Sequence, residues 1–136
     1  MAIDVKELRV GNWVLFNEDG KWTEQNVEYV AKDVSGYKGW MVSFGWASCT
    51  LEGVAEDLDV KPILLSPEIL EKCGFNCTSK GFYTHPKWYN LSLKYRRSTH
   101  DLRCNFMETV ATNVDYLHNL QNIFFDTVGE ELNYTP

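Results

Sequence analysis

The spacing of apolar positions changes character along the chain. Residues 8–16, LRVGNWVLF, are rich in β-formers and are interrupted by Gly11-Asn12, which predicts strand structure with a turn or bulge near its start. Asn17-Glu18-Asp19-Gly20 predicts a turn, because Asn and Asp tolerate left-handed backbone and Gly supplies positive φ without strain. A second strand is expected after it. Val27, Tyr29 and Val30 form another apolar run, and Trp40, Val42 and Phe44 alternate with Met41 and Ser43 as a half-buried strand does. The stretch Gly45 to Gly53 has no clear period, and Val54 to Ile63 predicts one more short strand. Residues 1–65 therefore predict a small, strongly bent antiparallel sheet, barrel-like and of SH3-like type.

At Ser66-Pro67-Glu68 the pattern turns helical. Ser66 suits the N-cap, Pro67 the first helical position and Glu68 the positive end of the helix dipole. Ile69, Leu70 and Cys73 form the buried stripe. Gly74 fits the left-handed residue that ends a helix, and Phe75 the hydrophobic contact of a Schellman motif. From 80 to 107 the period returns to two: Tyr89, Leu91, Leu93 and Tyr95 alternate with polar residues, and Leu102, Cys104 and Phe106 do the same. This predicts a three-stranded meander with turns at His85-Pro86 and Ser98-Thr99-His100. A closing amphipathic helix is predicted from Val114 to Val128, with Leu117, Leu120, Phe124 and Val128 on one face, Thr112 and Asp115 as a capping box and Gly129 as its stop. The tail from Glu130 is expected to be loosely held. The fold class is thus α+β in one domain, 1–136, with a β-rich, barrel-like segment over residues 1–65 and an αβββα segment over residues 66–136 around a shared core.

Composition narrows the class. At 136 residues, 44% hydrophobic and 14% aromatic, the chain is long and apolar enough to bury a full core. No apolar run approaches the roughly 18 residues of a membrane span, and no leader is evident, so a cytoplasmic or virion location is expected and no membrane partner. A reducing compartment keeps Cys49, Cys73, Cys77 and Cys104 as free thiols. The net charge of −6 argues against a dedicated nucleic-acid binder. Its distribution is uneven, however: acids crowd the first half, while Lys80, Lys87, Lys94, Arg96, Arg97 and Arg103 gather later.

Three stretches carry a resemblance: Glu7 to Val14 (ELRVGNWV), Pro62 to Phe75 (PILLSPEILEKCGF), and Tyr116 to Asn122 (YLHNLQN) running on to Gly129-Glu130-Glu131-Leu132. In order and spacing the chain resembles a family of small proteins of Bacteroidetes phages and prophages. It departs from that pattern at Leu64, where the family has proline, and at Ile69, where it has tryptophan, changes that touch packing more than chemistry. The resemblance spans about a third of the chain and implies a phage or mobile-element origin. It brings no mechanism with it.

Candidate chemistry is sparse. Cys73 and Cys77, with His85 and Cys104, are the residues a zinc site would draw on, but the cysteine spacing is wider than a usual knuckle, and Cys73 and Cys104 sit in apolar patterns that explain them as small core residues. His118, on the closing helix, has the titration range of a general base yet no acidic or nucleophilic partner at a spacing that forces contact. No hydrolase, metalloprotease or phosphate-loop motif is present. No cofactor, no metal and no catalytic residue are expected.

Two surfaces remain. Five tryptophans are many for this length, and tryptophan is enriched where proteins bind one another. Trp13, Trp40 and Trp88 fall in strand patterns and are expected in the core. Trp22, beside a turn, and Trp46, in the stretch Gly45 to Cys49, are expected to mark a protein-binding face for a phage or host protein. The alternative is a nucleic-acid interface at the basic hairpin, with Lys94, Arg96 and Arg97 meeting phosphate and Trp88 stacking on bases. The leading expectation is a non-enzymatic binding or assembly protein, either a virion accessory or an inhibitor of a host protein.

Overall fold

The computed structural model describes residues 7–32, 40–44, 48–51, 60–78, 82–88, 91–96, 101–106 and 109–136. Along them run β1 (Trp13–Glu18), β2 (Lys21–Asn26), β3 (Tyr29–Lys32), β4 (Trp40–Ser43), β5 (Ser48–Leu51), β6 (Val60–Lys61), α1 (Pro67–Lys72), β7 (Asn76–Cys77), β8 (Phe82–Thr84), β9 (Leu91–Arg96), β10 (Asp101–Phe106), β11 (Thr109–Asn113) and α2 (Leu117–Val128). The class is α+β, with small antiparallel sheets, as the sequence predicts. The chain divides into two compact units, Met1–Ile63 and Leu64–Pro136.

In the first unit β1 and β2 form a hairpin in register from Trp13↔Asn26 to Glu18↔Lys21. Its tip is Asp19-Gly20, with φ of 51° and 85°. Two successive positive φ values give the turn whose twist matches that of the strands, which is why Asp-Gly sits there. β6 pairs with the other side of β1, so the order is β2-β1-β6. At Val27-Glu28 the chain turns out of this sheet and continues as β3 of a second one, ordered β3-β4-β5. Phe16 of β1 meets Phe44, which follows β4, at 5.0 Å between ring centroids. Around them Leu8, Val14, Val27, Val42 and Val60 complete the buried cluster. Each fully buried side chain of this size contributes about 1.5–3 kcal/mol. β5 lies inside the stretch that showed no period in the sequence. Of the strand expected over 54–63 only Val60–Lys61 falls within the described residues as β6.

The open end of the β1–β2 hairpin is also tied. Gly11, at φ 96°, turns the chain into β1, and its N–H donates to the Val27 carbonyl at 2.8 Å. The Val27 N–H donates to the Asn12 carbonyl at 2.8 Å, and Asn26 Nδ2 to the Gly11 carbonyl at 2.9 Å. Asn12 itself is fully buried, its Oδ1 accepting from the Arg9 N–H at 2.7 Å.

The second unit opens with α1, and the predicted caps are present. Ser66 Oγ accepts from the Ile69 N–H at 3.3 Å, with Pro67 at the first turn. At the other end Phe75 N–H donates to the Leu70 carbonyl and Gly74 N–H to the Glu71 carbonyl, both at 3.0 Å, the paired bonds of a Schellman motif. The predicted meander is the middle of a larger sheet, β11-β10-β9-β8-β7, to which β7 and β11 add an edge each. α2 starts at Leu117, three residues later than the sequence predicts. Thr112 is claimed by the β10–β11 ladder, opposite Cys104, so the expected capping box does not form and Tyr116 stands at the N-cap without a side-chain cap bond. Gly129, at φ 83°, ends the helix as predicted, its N–H reaching the Phe125 carbonyl at 2.8 Å. The tail is held, not loose: Leu132 and Tyr134 are both buried. Leu64 is 63% exposed and so lies outside the core.

Candidate binding surface

Side chains alternate across a strand, and residues paired in register share a face. In the β2-β1-β6 sheet one face carries Val14, Phe16 and Val60 into the core. Thr23 and Gln25 of β2 lie on that same side, with Gln25 Nε2 donating to Thr23 Oγ1 at 3.1 Å. The opposite face carries Trp13, Leu15 and Asn17 of β1, Trp22, Glu24 and Asn26 of β2, and Lys61 of β6. Trp22 is 37% exposed there, and Lys61 Nζ stands 4.0 Å from the centre of its indole. Val10 and Tyr29 are further exposed large hydrophobic residues of this unit. The expectation that Trp22 is accessible is met, while Trp13 is half-buried on the outer face instead of in the core. Trp46 lies outside the described residues, and so does the side chain of Trp40.

The basic hairpin fares differently. Lys94 is half-buried, its Nζ 5.1 Å from the Phe82 ring centre. Arg96 closes β9 in register with Asp101, and Arg97 lies outside the described residues. Trp88 lies in the core as expected, only 4% exposed, and so offers no face to a base, a correction to the stacking role; it also follows the turn at Pro86-Lys87 instead of lying in a strand. Its ring packs edge-on against Phe75 at 5.6 Å, and its Nε1 donates to Thr127 Oγ1 at 2.8 Å.

The second unit also holds a cavity of about 200 Å³, lined by Lys72, His85, Lys87, Phe124, Glu131 and Asn133 among others. His85 Nδ1 accepts from the Lys87 N–H at 3.1 Å, and the ring lies edge-on to Phe75 at 5.1 Å and Phe124 at 4.8 Å. Burial lowers its pKa from the ordinary value; the bond to the Cys73 backbone opposes that shift, and the Lys87 charge adds to it. An imidazole engaged in this way braces the turn. Sequence reasoning saw His85 only as a turn residue and a conceivable zinc ligand, because the lining is gathered from separated stretches that no spacing rule connects.

Cys73 is buried and its thiol is pushed up to about 12 by desolvation, whereas Cys77 is exposed; both are free thiols. Among the described residues no cluster of His, Cys, Asp or Glu is placed to hold a metal. His118 is buried, its ring stacked on Tyr116 at 5.9 Å, and it is not among the cavity-lining residues. No helix among the described residues is long and apolar enough to cross a membrane. No family model, curated protein or solved structure matches the chain.

Proposed function

We propose that the chain is a non-enzymatic binding or assembly protein of a phage or mobile element, either a virion accessory component or an inhibitor of a host protein. The observation that carries this reading is the exposed Trp22 on the outer face of an antiparallel sheet, beside Leu15 and under the Lys61 ammonium. An aromatic side chain presented by a rigid strand offers large contact area at small entropic cost. The strand succession of the first unit supports an SH3-like reading of it: β6 closes beside β1, and β2 runs on through Val27-Glu28 into β3 of the second sheet. The resemblance of Glu7–Val14, Pro62–Phe75 and the α2 stretch to phage and prophage proteins supports the origin.

The test is a tagged pull-down from infected or lysogenic cells, with the wild type compared against Trp22→Ala and Trp46→Ala. Capture of one host protein that Trp22→Ala loses is the result expected of an inhibitor. Recovery in purified particles, with virion proteins alone co-purifying, is the result expected of an accessory component. Loss of neither partner in Trp22→Ala removes the sheet face from the reading. The buried Trp88 weighs against the nucleic-acid alternative, which would further require steeply salt-dependent probe binding that Arg96→Glu with Arg97→Glu abolishes.

A further inference from the structure

Trp22 and its neighbours also narrow the chemistry of the partner, on the assumption that the binding reading above is right. We propose that the outer face of the β2-β1-β6 sheet receives a basic, arginine-bearing segment of the partner protein, with a guanidinium against the Trp22 indole.

The indole already holds a cation, since Lys61 Nζ lies 4.0 Å from its centre. The negative face of an aromatic ring attracts positive charge, and tryptophan is the best such acceptor among side chains. Lys61 reaches it because the register sets Lys61 opposite Leu15, and Trp22 opposite Asn17, on the same face. Leu15 beside them is half-buried and supplies an apolar strip along which the methylene stem of an incoming arginine can lie. Glu24 shares the face, and Glu18 and Asp19 are exposed at the adjoining hairpin end.

The charge of the unit points the same way. Residues 1–63 hold eleven Asp and Glu against six Lys and Arg, while residues 64–136 hold eight against seven. The unit that displays Trp22 therefore carries nearly all of the net −6, and its field favours approach of a basic surface. Guanidinium suits the site better than ammonium, because it is planar, more weakly hydrated and stacks on aromatic faces. Lys61 becomes an internal stand-in: it occupies the indole in the free protein and gives way to the partner's cation.

The experiment is fluorescence anisotropy of dye-labelled short peptides, one arginine-rich, one lysine-rich of equal charge and one glutamate-rich, titrated with the full chain at low and physiological salt. The expected result is tighter binding of the arginine peptide than the lysine peptide by about threefold or more, with no binding of the glutamate peptide. Trp22→Ala, which leaves the charge unchanged, is expected to weaken the arginine peptide about three- to tenfold. Lys61→Ala is expected to strengthen it, because it removes the competitor. Equal binding of both basic peptides, indifferent to Trp22→Ala, reduces the effect to general electrostatics and overturns the proposal. So does a loss of binding in Lys61→Ala, which also covers the case in which Trp22→Ala fails to fold. A pull-down partner that depends on Trp22 but docks through a neutral or acidic surface leaves the binding reading standing and overturns this inference alone.

Discussion

Trp22 in the first unit and Trp88 in the second are the same residue put to opposite uses, and their neighbours explain the difference. Trp22 sits within a regular strand, so period-two alternation delivers it to the face opposite Val14, Phe16 and Val60, where its companion is the cation Lys61. Trp88 follows a turn, where alternation has no hold. The bond from its N–H to the His85 carbonyl, at 2.9 Å, swings the indole inward against Phe75, and Thr127 takes up its one polar hydrogen. Tryptophan content thus says little about function until the local backbone says which way each ring is sent.

The sharpest way to break that contrast is truncation. Trp88→Ala leaves a cavity beside Phe75 and removes the donor to Thr127, and it should cost about 3–5 kcal/mol in denaturant unfolding. Trp22→Ala should cost less than about 1 kcal/mol, in keeping with a surface position. Comparable losses at the two sites would mean that Trp22 is structural after all.

A second comparison sets two glycines against each other. Gly74 and Gly20 have nearly equal positive φ, 91° and 85°. A Cβ at Gly74 would come within 3.2 Å of His85 Nε2, whereas one at Gly20 meets nothing within 4 Å. Gly20→Ala should therefore show only the backbone cost of about 1–2 kcal/mol. Gly74→Ala should show that cost together with displacement of His85, and thermal melts that find the two equal would show the imidazole moving aside freely.

The smallest expected effect is in pH. The folded pKa of His85 lies below its ordinary value of 6.5, chiefly through burial. As pH falls below that value the unfolded chain takes up the proton first, so the stability contributed by neutral His85 is complete above about pH 6.5 and declines towards the folded pKa. Protonation also turns Nδ1 into a donor facing the Lys87 N–H. His85→Asn should flatten this region of the pH profile, and an unchanged slope in melts between pH 7.5 and 5.5 would assign it to other groups.

These contrasts also mark what could be read in the chain and what could not. α1 was fully legible, because its caps are local: Ser66, Pro67, Gly74 and Phe75 each do their work within a few residues. So was the Asp19-Gly20 turn, and so was the exposure of Trp22 beside it. The start of α2 was not, because Thr112 belongs to a ladder with Cys104 that only the sheet decides. A strand of two residues such as β7 has no period to detect, and β5 gains its identity from the register of Val42 opposite Cys49. The burial of Leu132 and Tyr134 was visible only as an i, i+2 spacing too short to weigh. The Trp22–Lys61 pair spans thirty-nine positions and exists only once β6 pairs with β1.

The ties at Gly11, Asn12, Asn26 and Val27 have a consequence for how the first unit comes apart. A hairpin ordinarily frays from the end away from its turn, where nothing opposes strand separation. Here that end carries three further hydrogen bonds, two ending on Gly11 and one on the carbonyl of the buried Asn12, whose side chain in turn accepts from the Arg9 N–H. Opening there would expose Asn12 together with Val14 and Val27, so the Gly11 and Val27 amides should exchange with solvent as slowly as those in mid-strand.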